Sequence, residues 1–176
     1  MSIKMLKNDE LEDLKEVLNK YPVVLKIRYA DKDFPTLQMT EKGDWIDLKT
    51  TKDYDIKAGE SEFIDLGVAM KLPENYEAWL VPRSGTFRKY GLIQTNSIGI
   101  IDNSYSGNND IWRMPVYATR DTKVSKGERL CQFRLVERMS VNFSPVSITQ
   151  SHCDLLILDT DQLDDVDRGG FGSTGR

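Results

Sequence analysis

The sequence predicts an all-β domain, an antiparallel sandwich, jelly roll or barrel, with a short N-terminal helix and a flexible C-terminal arm, and three features carry that expectation. Short runs rich in β-branched and aromatic residues alternate apolar with polar side chains, the pattern of strands buried on one face. Turn-rich pieces such as Lys57-Ala58-Gly59-Glu60 and Ser104-Tyr105-Ser106-Gly107 separate them. No second helical pattern of useful length intervenes, so a βαβ arrangement is disfavoured against an antiparallel sandwich, jelly roll or barrel.

Each element has a local reason. From Asn8 to Lys20, Leu11, Leu14 and Leu18 fall at helical spacing. Asn8 is placed to cap that helix, Asp9 and Glu10 suit its positive first turn, and Pro22 stops it. Residues 1–21 thus read as a helical extension docked by one narrow apolar stripe. In Val23–Tyr29 the period changes: Leu25, Ile27 and Tyr29 alternate with Lys26 and Arg28, a half-buried strand. Similar runs recur at Phe63–Leu72, Glu77–Val81, Leu92–Ile101, Ile111–Ala118 and Arg129–Val136, and strand-like pieces continue to Leu158. Residues 22–158 form the β domain. Residues 159–176 are acidic and then glycine-rich, with too little side chain to offset their ordering entropy unless something binds them.

The 176 residues suit one domain, and 24 basic against 28 acidic side chains leave a net charge of −4. That balance argues against a bulk nucleic-acid binder or a polybasic membrane anchor, so any phosphate ligand must meet a local cluster. Cys131, Cys153 and His152 are too few for a disulfide scaffold or an ordinary zinc site, and a reducing, cytoplasmic setting is the default. Met1–Glu10 carries charge where a signal peptide needs an apolar stretch, and no window approaches a membrane span.

Five pieces of the chain have chemical possibilities, each with a plainer alternative. Asp47, in a strand-like context, can simply face solvent. Pro82-Arg83-Ser84-Gly85 ends a strand in a turn and leaves Arg83 and Ser84 as anion donors. Asp102 directly follows an apolar strand, with Tyr105 three residues on. It is either a turn-initiating aspartate or a general base for a nearby water. Gln132 alternates with apolar neighbours and can be the outer face of a strand. Gly170-Phe171-Gly172-Ser173-Thr174-Gly175 matches a dinucleotide fingerprint by letter, but no βαβ unit surrounds it. It reads as a disordered tail or as a flap that closes over an anion and a flat ring, with Arg168, Ser173 and Thr174 as donors.

In their order along the chain, these pieces resemble the five motifs of the trimeric dUTP pyrophosphatase (dUTPase) family, from about Gly43 to Arg176. Asp47-Leu48 is similar to the end of the first motif. Arg83, Ser84 and Gly85, with Lys89, Gly91 and Leu92, resemble the second, and Gly99-Ile100-Ile101-Asp102 with Tyr105 and Gly107 the third. Gly127-Glu128-Arg129 with Gln132 is similar to the fourth, and the glycine-rich terminus to the fifth. The resemblance implies a jelly-roll (β-clip) homotrimer whose active sites, each assembled from three chains, hydrolyse dUTP to dUMP and pyrophosphate with Mg²⁺. That activity would limit uracil in DNA and supply dUMP for dTMP synthesis. It implies that Asp102 deprotonates a water attacking the α-phosphorus. Asn96 and the backbone near Gly99 and Ile101 would read the uracil, and Tyr105 would pack under the deoxyribose. Arg83, Ser84, Gly85 and Gln132 would hold the phosphates. Phe171 would cover the uracil while Arg168, Gly172, Ser173 and Thr174 engage the distal phosphates, and Asp47 would reach metal only through water. The spacing from Arg168 to Phe171 is shorter than the family's usual one, and the segment between Gln132 and Arg168 is longer.

Two rival readings share the fold. A dCTP deaminase would need a glutamate on the strand after the third motif, and Ile111-Trp112-Arg113 has none nearby. A non-catalytic nucleotide-sensing trimer would not need Asp102, Tyr105 and the arm together.

Overall fold

The computed structural model describes residues 3–7, 23–40, 43–138 and 155–171. The expected helix over 8–20, Gly172, Ser173, Thr174, His152 and Cys153 lie outside the described residues.

In chain order the described strands are β1 (Ile3–Lys7), β2 (Val23–Tyr29), β3 (Leu37–Gln38), β4 (Ile46–Lys49), β5 (Tyr54–Ile56), β6 (Ser61–Asp65) and β7 (Val68–Lys71). They continue with β8 (Tyr76–Pro82), β9 (Leu92–Gln94), β10 (Gly99–Ile101), β11 (Arg113–Ala118), β12 (Thr122–Val124), β13 (Arg129–Glu137) and β14 (Leu155–Asp159). One short helix, α1 (Thr86–Tyr90), joins β8 to β9 and closes on Gly91, whose left-handed φ of 67° ends it. The strands pair as sheets β1-β14-β2-β7, β10-β8-β13-β4-β3 and β6-β11-β9, with a β12-β5 ribbon. This is the nearly all-β fold that the patterning predicts.

Three departures from the sequence expectation shape the site. The run over Phe63–Leu72 is two strands in different sheets, because Gly67 turns the chain with φ 66° where a Cβ would sit 2.5 Å from Thr51 Cγ2. The run over Leu92–Ile101 also divides: β9 pairs with β11 and β10 with β8, and the corner between them carries Asn96 beside Ser97 at φ 58°. The third departure concerns the chain ends. Ile3–Lys7, expected within the helical extension, is a strand parallel to β14, and β14 is in turn parallel to β2. Leu155 to Leu158 are all buried, as a central strand covered on both faces requires, and their unbroken apolar run is that signature.

The core lies where the sheets face one another. Trp112 meets Phe133 edge to face, with ring centroids 5.2 Å apart, among Leu48, Leu80 and Met114. Cys131 is enclosed there too, and burial followed by the nearby Asp47 pushes its thiol pKa up, which keeps it inert. Phe133 has no exposed surface. Phe133→Ala should therefore lower unfolding stability by about 3–5 kcal/mol, measured by urea denaturation.

Candidate active site

Two clusters of polar side chains lie along β8, one at its C-terminal end and one beside its middle. At the end where β8 stops, Asp47 of β4 stands opposite Gln132 of β13, and Gln132 stands opposite Val81. Asp47 is only 2% exposed, so it does not take the solvent-facing role open to it in the sequence. Its Oδ1 accepts from Arg83 Nε at 2.9 Å and its Oδ2 from Arg129 Nη1 at 3.0 Å. A buried carboxylate thus aims two guanidiniums, and their partial exposure leaves further donors facing outward. Arg83 is anchored by its own amide, which donates to Leu130 O at 3.0 Å. Ser84 and Gly85 follow, exposed, and the Thr86 hydroxyl donates to the same carbonyl. Arg83, Arg88, Lys89 and Arg129 line a cleft of about 360 Å³. This is the local cationic cluster that an acidic chain needs for a phosphate ligand.

Alongside the middle of β8, a pocket of about 230 Å³ lined by Leu80 opens between Asn96, Gly99, Ile101 and Tyr105 on one side and Gly169, Gly170 and Phe171 on the other. The Tyr105 hydroxyl donates to Ile111 O at 3.1 Å, which fixes the ring. Asn96 Oδ1 accepts from the Gln94 side-chain amide at 2.8 Å.

Asp102 sits at the rim of this pocket, just past β10. Its Oδ1 accepts from the Ser104 backbone at 2.9 Å and from the Ser104 hydroxyl, which is the turn geometry of an aspartate that starts a bend. Both carboxylate oxygens lie 3.0 Å from Arg168 Nη1. Burial alone would raise the Asp102 pKa, but the Ser104 bonds and then the Arg168 charge outweigh it and hold the carboxyl below its ordinary value. Asp102 is therefore ionised at neutral pH.

The first part of the C-terminal arm lies on its own chain. Asp110, 2% exposed, accepts from the backbone amides of Gly107, Arg168 and Gly169 at 2.8–2.9 Å. Asn109 donates twice to Asp167, each bond 2.7 Å, and Ser106 donates to Asp164 at 2.6 Å. Gly107 is essential to this approach, since a Cβ there would come within 2.5 Å of Asp167 Cα. Gly170 packs against the Tyr105 ring. Phe171 turns with φ 53° and meets Phe63 edge-on at 4.5 Å, at the wall of the pocket. Arg168 pairs here with Asp102, whereas the resemblance implied phosphate contact.

The structure brings Asn96, Gly99, Ile101, Asp102, Tyr105, Arg168 and Phe171 together, and separately Asp47, Arg83, Ser84, Gly85 and Gln132. Within one chain these groups do not meet. Ile101 pairs with Ala78 near the start of β8, while Arg83 follows Pro82 at its end. At about 3.3 Å per residue, Asp102 and Arg83 are roughly 20 Å apart. Sequence reading missed Arg88 and Arg129 as members of the cationic cleft, Gln94 as the partner of Asn96, and Asp110 as the seat of the arm. No local pattern places Arg129 beside Asp47; the β4–β13 ladder, with its irregularity between Arg129 and Cys131, makes them neighbours.

A sequence model of the dUTPase family matches residues 35–175. A SPbeta prophage-derived deoxyuridine 5′-triphosphate nucleotidohydrolase of Bacillus subtilis is 47% identical over 151 residues, covering 86% of this chain and 97% of the relative. A deoxyuridine 5′-triphosphate nucleotidohydrolase of Thermobifida fusca is 31% identical over 158 residues, covering 87% of this chain and 79% of the relative. Among solved structures, a dUTPase from Streptococcus mutans has a similar fold, with a TM-score of 0.57 at 24% identity, covering 65% of this chain and 93% of that one. A mutant dUTPase from phage phi11 of S. aureus gives 0.60 at 18% identity over 69% of this chain and 95% of that one, and was described with a structural Mg(II) ion.

Asp47→Asn removes the charge that holds Arg83 and Arg129 while keeping the side chain's shape. Stability should fall by roughly 2–4 kcal/mol and the affinity for inorganic pyrophosphate should drop, measured by denaturation and calorimetry.

Proposed function

The chain belongs to the dUTPase family, and we propose that its two clusters are halves of one composite site, supplied by different copies of the chain, in which dUTP is hydrolysed to dUMP and pyrophosphate. The observation that carries this reading is the separation along β8. Asp102 and Arg83 must both meet the phosphates of one substrate, yet within one chain they lie roughly 20 Å apart, so the carboxylate and the cationic cleft of a site come from neighbouring copies. A homotrimer supplies them with closed symmetry. The described arm residues sit on their own chain's pocket, and the further residues of a third chain's arm complete each site.

The base enters between Asn96, Gly99 and Ile101, and Tyr105 lies beneath the sugar. Phe171 forms a wall beside the base. Asp102, ionised and at the pocket rim, orients the attacking water and takes its proton as the water strikes the α-phosphorus. Arg83, with Ser84, Gly85 and Gln132, holds the phosphates of the neighbouring chain's substrate, and Arg129 shares that charge through Asp47. Gly172, Ser173 and Thr174 of the arm engage the distal phosphates, and Arg168 exchanges Asp102 for phosphate as the arm closes. Anhydride hydrolysis needs a placed water and neutralised charge more than a covalent nucleophile. The donor set suits Mg²⁺ carried on the triphosphate: Asp47 is committed to two guanidiniums, and no group of three or more His, Cys, Asp or Glu comes together among the described residues. Bound in that way, Mg²⁺ neutralises phosphate charge. Asp47 contacts it at most through water.

No described helix is long and apolar enough to cross a membrane. We place the enzyme in the cytoplasm, where removing dUTP limits uracil in DNA and provides dUMP for dTMP synthesis. The β11 segment Arg113–Ala118 has no glutamate, which disfavours the deaminase alternative.

Pyrophosphate release across the deoxynucleoside triphosphates, with and without Mg²⁺, tests the reading directly: dUTP with Mg²⁺ should be the preferred pair. Asp102→Asn should lower kcat by about 10²–10⁴-fold while leaving dUTP affinity within about tenfold, by single-turnover kinetics and calorimetry. Mixed trimers of Asp102→Asn and Arg83→Ala chains should regain activity that neither parent has, and no recovery would contradict a shared site. The depressed Asp102 pKa puts the acid limb of kcat/KM below the ordinary aspartate range. Ser104→Ala removes one of the bonds that lower it, so the limb should move to higher pH.

A further inference from the structure

We infer that Gln94 is the positioning residue that lets this chain tell uracil from cytosine, by fixing which atom of the Asn96 amide faces the pocket. The inference rests on the pocket's being the pyrimidine subsite, as set out above. Gln94 is 6% exposed, at the end of β9. Its Nε2 donates to Leu80 O at 3.1 Å and to Asn96 Oδ1 at 2.8 Å. The sense of both amides follows from the first bond. A backbone carbonyl only accepts, so the atom beside Leu80 O is nitrogen. That nitrogen's second hydrogen then points to Asn96, which must answer with oxygen and turn its Nδ2 away. Gly99 keeps the space beside that nitrogen open: a Cβ there would meet Asn96 Nδ2 at 3.5 Å and Leu80 Cβ at 3.2 Å.

The chemistry explains why this matters. Uracil presents an exocyclic carbonyl that accepts where cytosine presents an amine that donates. An asparagine free to flip matches either base, because exchanging its nitrogen and oxygen inverts the edge it offers. Locked with Nδ2 outward, it accepts uracil and sets donor against donor for cytosine. The lock leaves Gln94 Oε1 buried without a partner among the described residues, so the bonds that its nitrogen makes hold the side chain in this sense.

The test is the ratio of kcat/KM for dUTP to that for dCTP, in the wild type and two variants. Gln94→Leu frees Asn96 to flip, and the ratio should fall about tenfold or more. The fall should come mainly from a lower KM for dCTP, with kcat changed by no more than about threefold. Gln94→Glu offers Asn96 an acceptor, draws Nδ2 inward and should lower the ratio further. Folded variants that keep the wild-type ratio overturn the inference. Should neither variant fold, the nitrogen-15-labelled wild type decides. Addition of dUMP should shift the Asn96 side-chain amide resonances while those of Gln94 stay protected from exchange, and an Asn96 amide indifferent to dUMP overturns it. A wild-type enzyme that releases no pyrophosphate from dUTP removes the underlying reading, and this inference with it.

Discussion

The length of β8 is the constraint from which the site's design follows. Seven register pairs tie it to β13 and three tie it to β10, so neither its extent nor its neighbours can shift without breaking a ladder. One end delivers Arg83 into a turn beside Asp47 and Arg129, and the other carries Asp102 on the flanking β10. A rigid strand keeps these ends about 20 Å apart. In the proposed reading, chemistry that needs both Asp102 and Arg83 is completed by another copy of the chain.

Carboxylates in the site act mainly as anchors. Asp47 holds two guanidiniums, Asp110 gathers three backbone amides, and Asp102 rests between Ser104 and Arg168. Asp47 and Asp110 are buried, and each is matched by charge-assisted donors, as buried carboxylates must be. Asp102 is the most exposed of the three and keeps a face toward the pocket rim. It is the one carboxylate of the set that is placed to meet a water.

The chain ends are organised around the same site. β14 enters between β1 and β2 and brings the chain back beside its beginning, and the acidic stretch that follows runs along Ser106–Asp110. Its aspartates find Lys71, Asn109 and Ser106, so a segment that reads as a solvated charge run is in part a docking strip. The strip ends with Gly170 on Tyr105 and Phe171 beside Phe63, at the wall of the pocket.

Much of this was legible in the sequence. The alternation of Val23–Tyr29 matches β2 residue for residue, and the strand ends and turns that carry Asp102, Tyr105 and Arg83 are written locally. The order of five short motifs located the family. What tertiary structure alone decided concerns partners far apart in sequence: the division of Leu92–Ile101 between two sheets, the insertion of β14, the Arg129–Asp47 contact and the hold of Gln94 on Asn96. Periodicity reports which face of a segment is buried, because that depends on near neighbours. Which strand lies across that face, and which atom of an amide points inward, depend on residues that meet only when the sheets close.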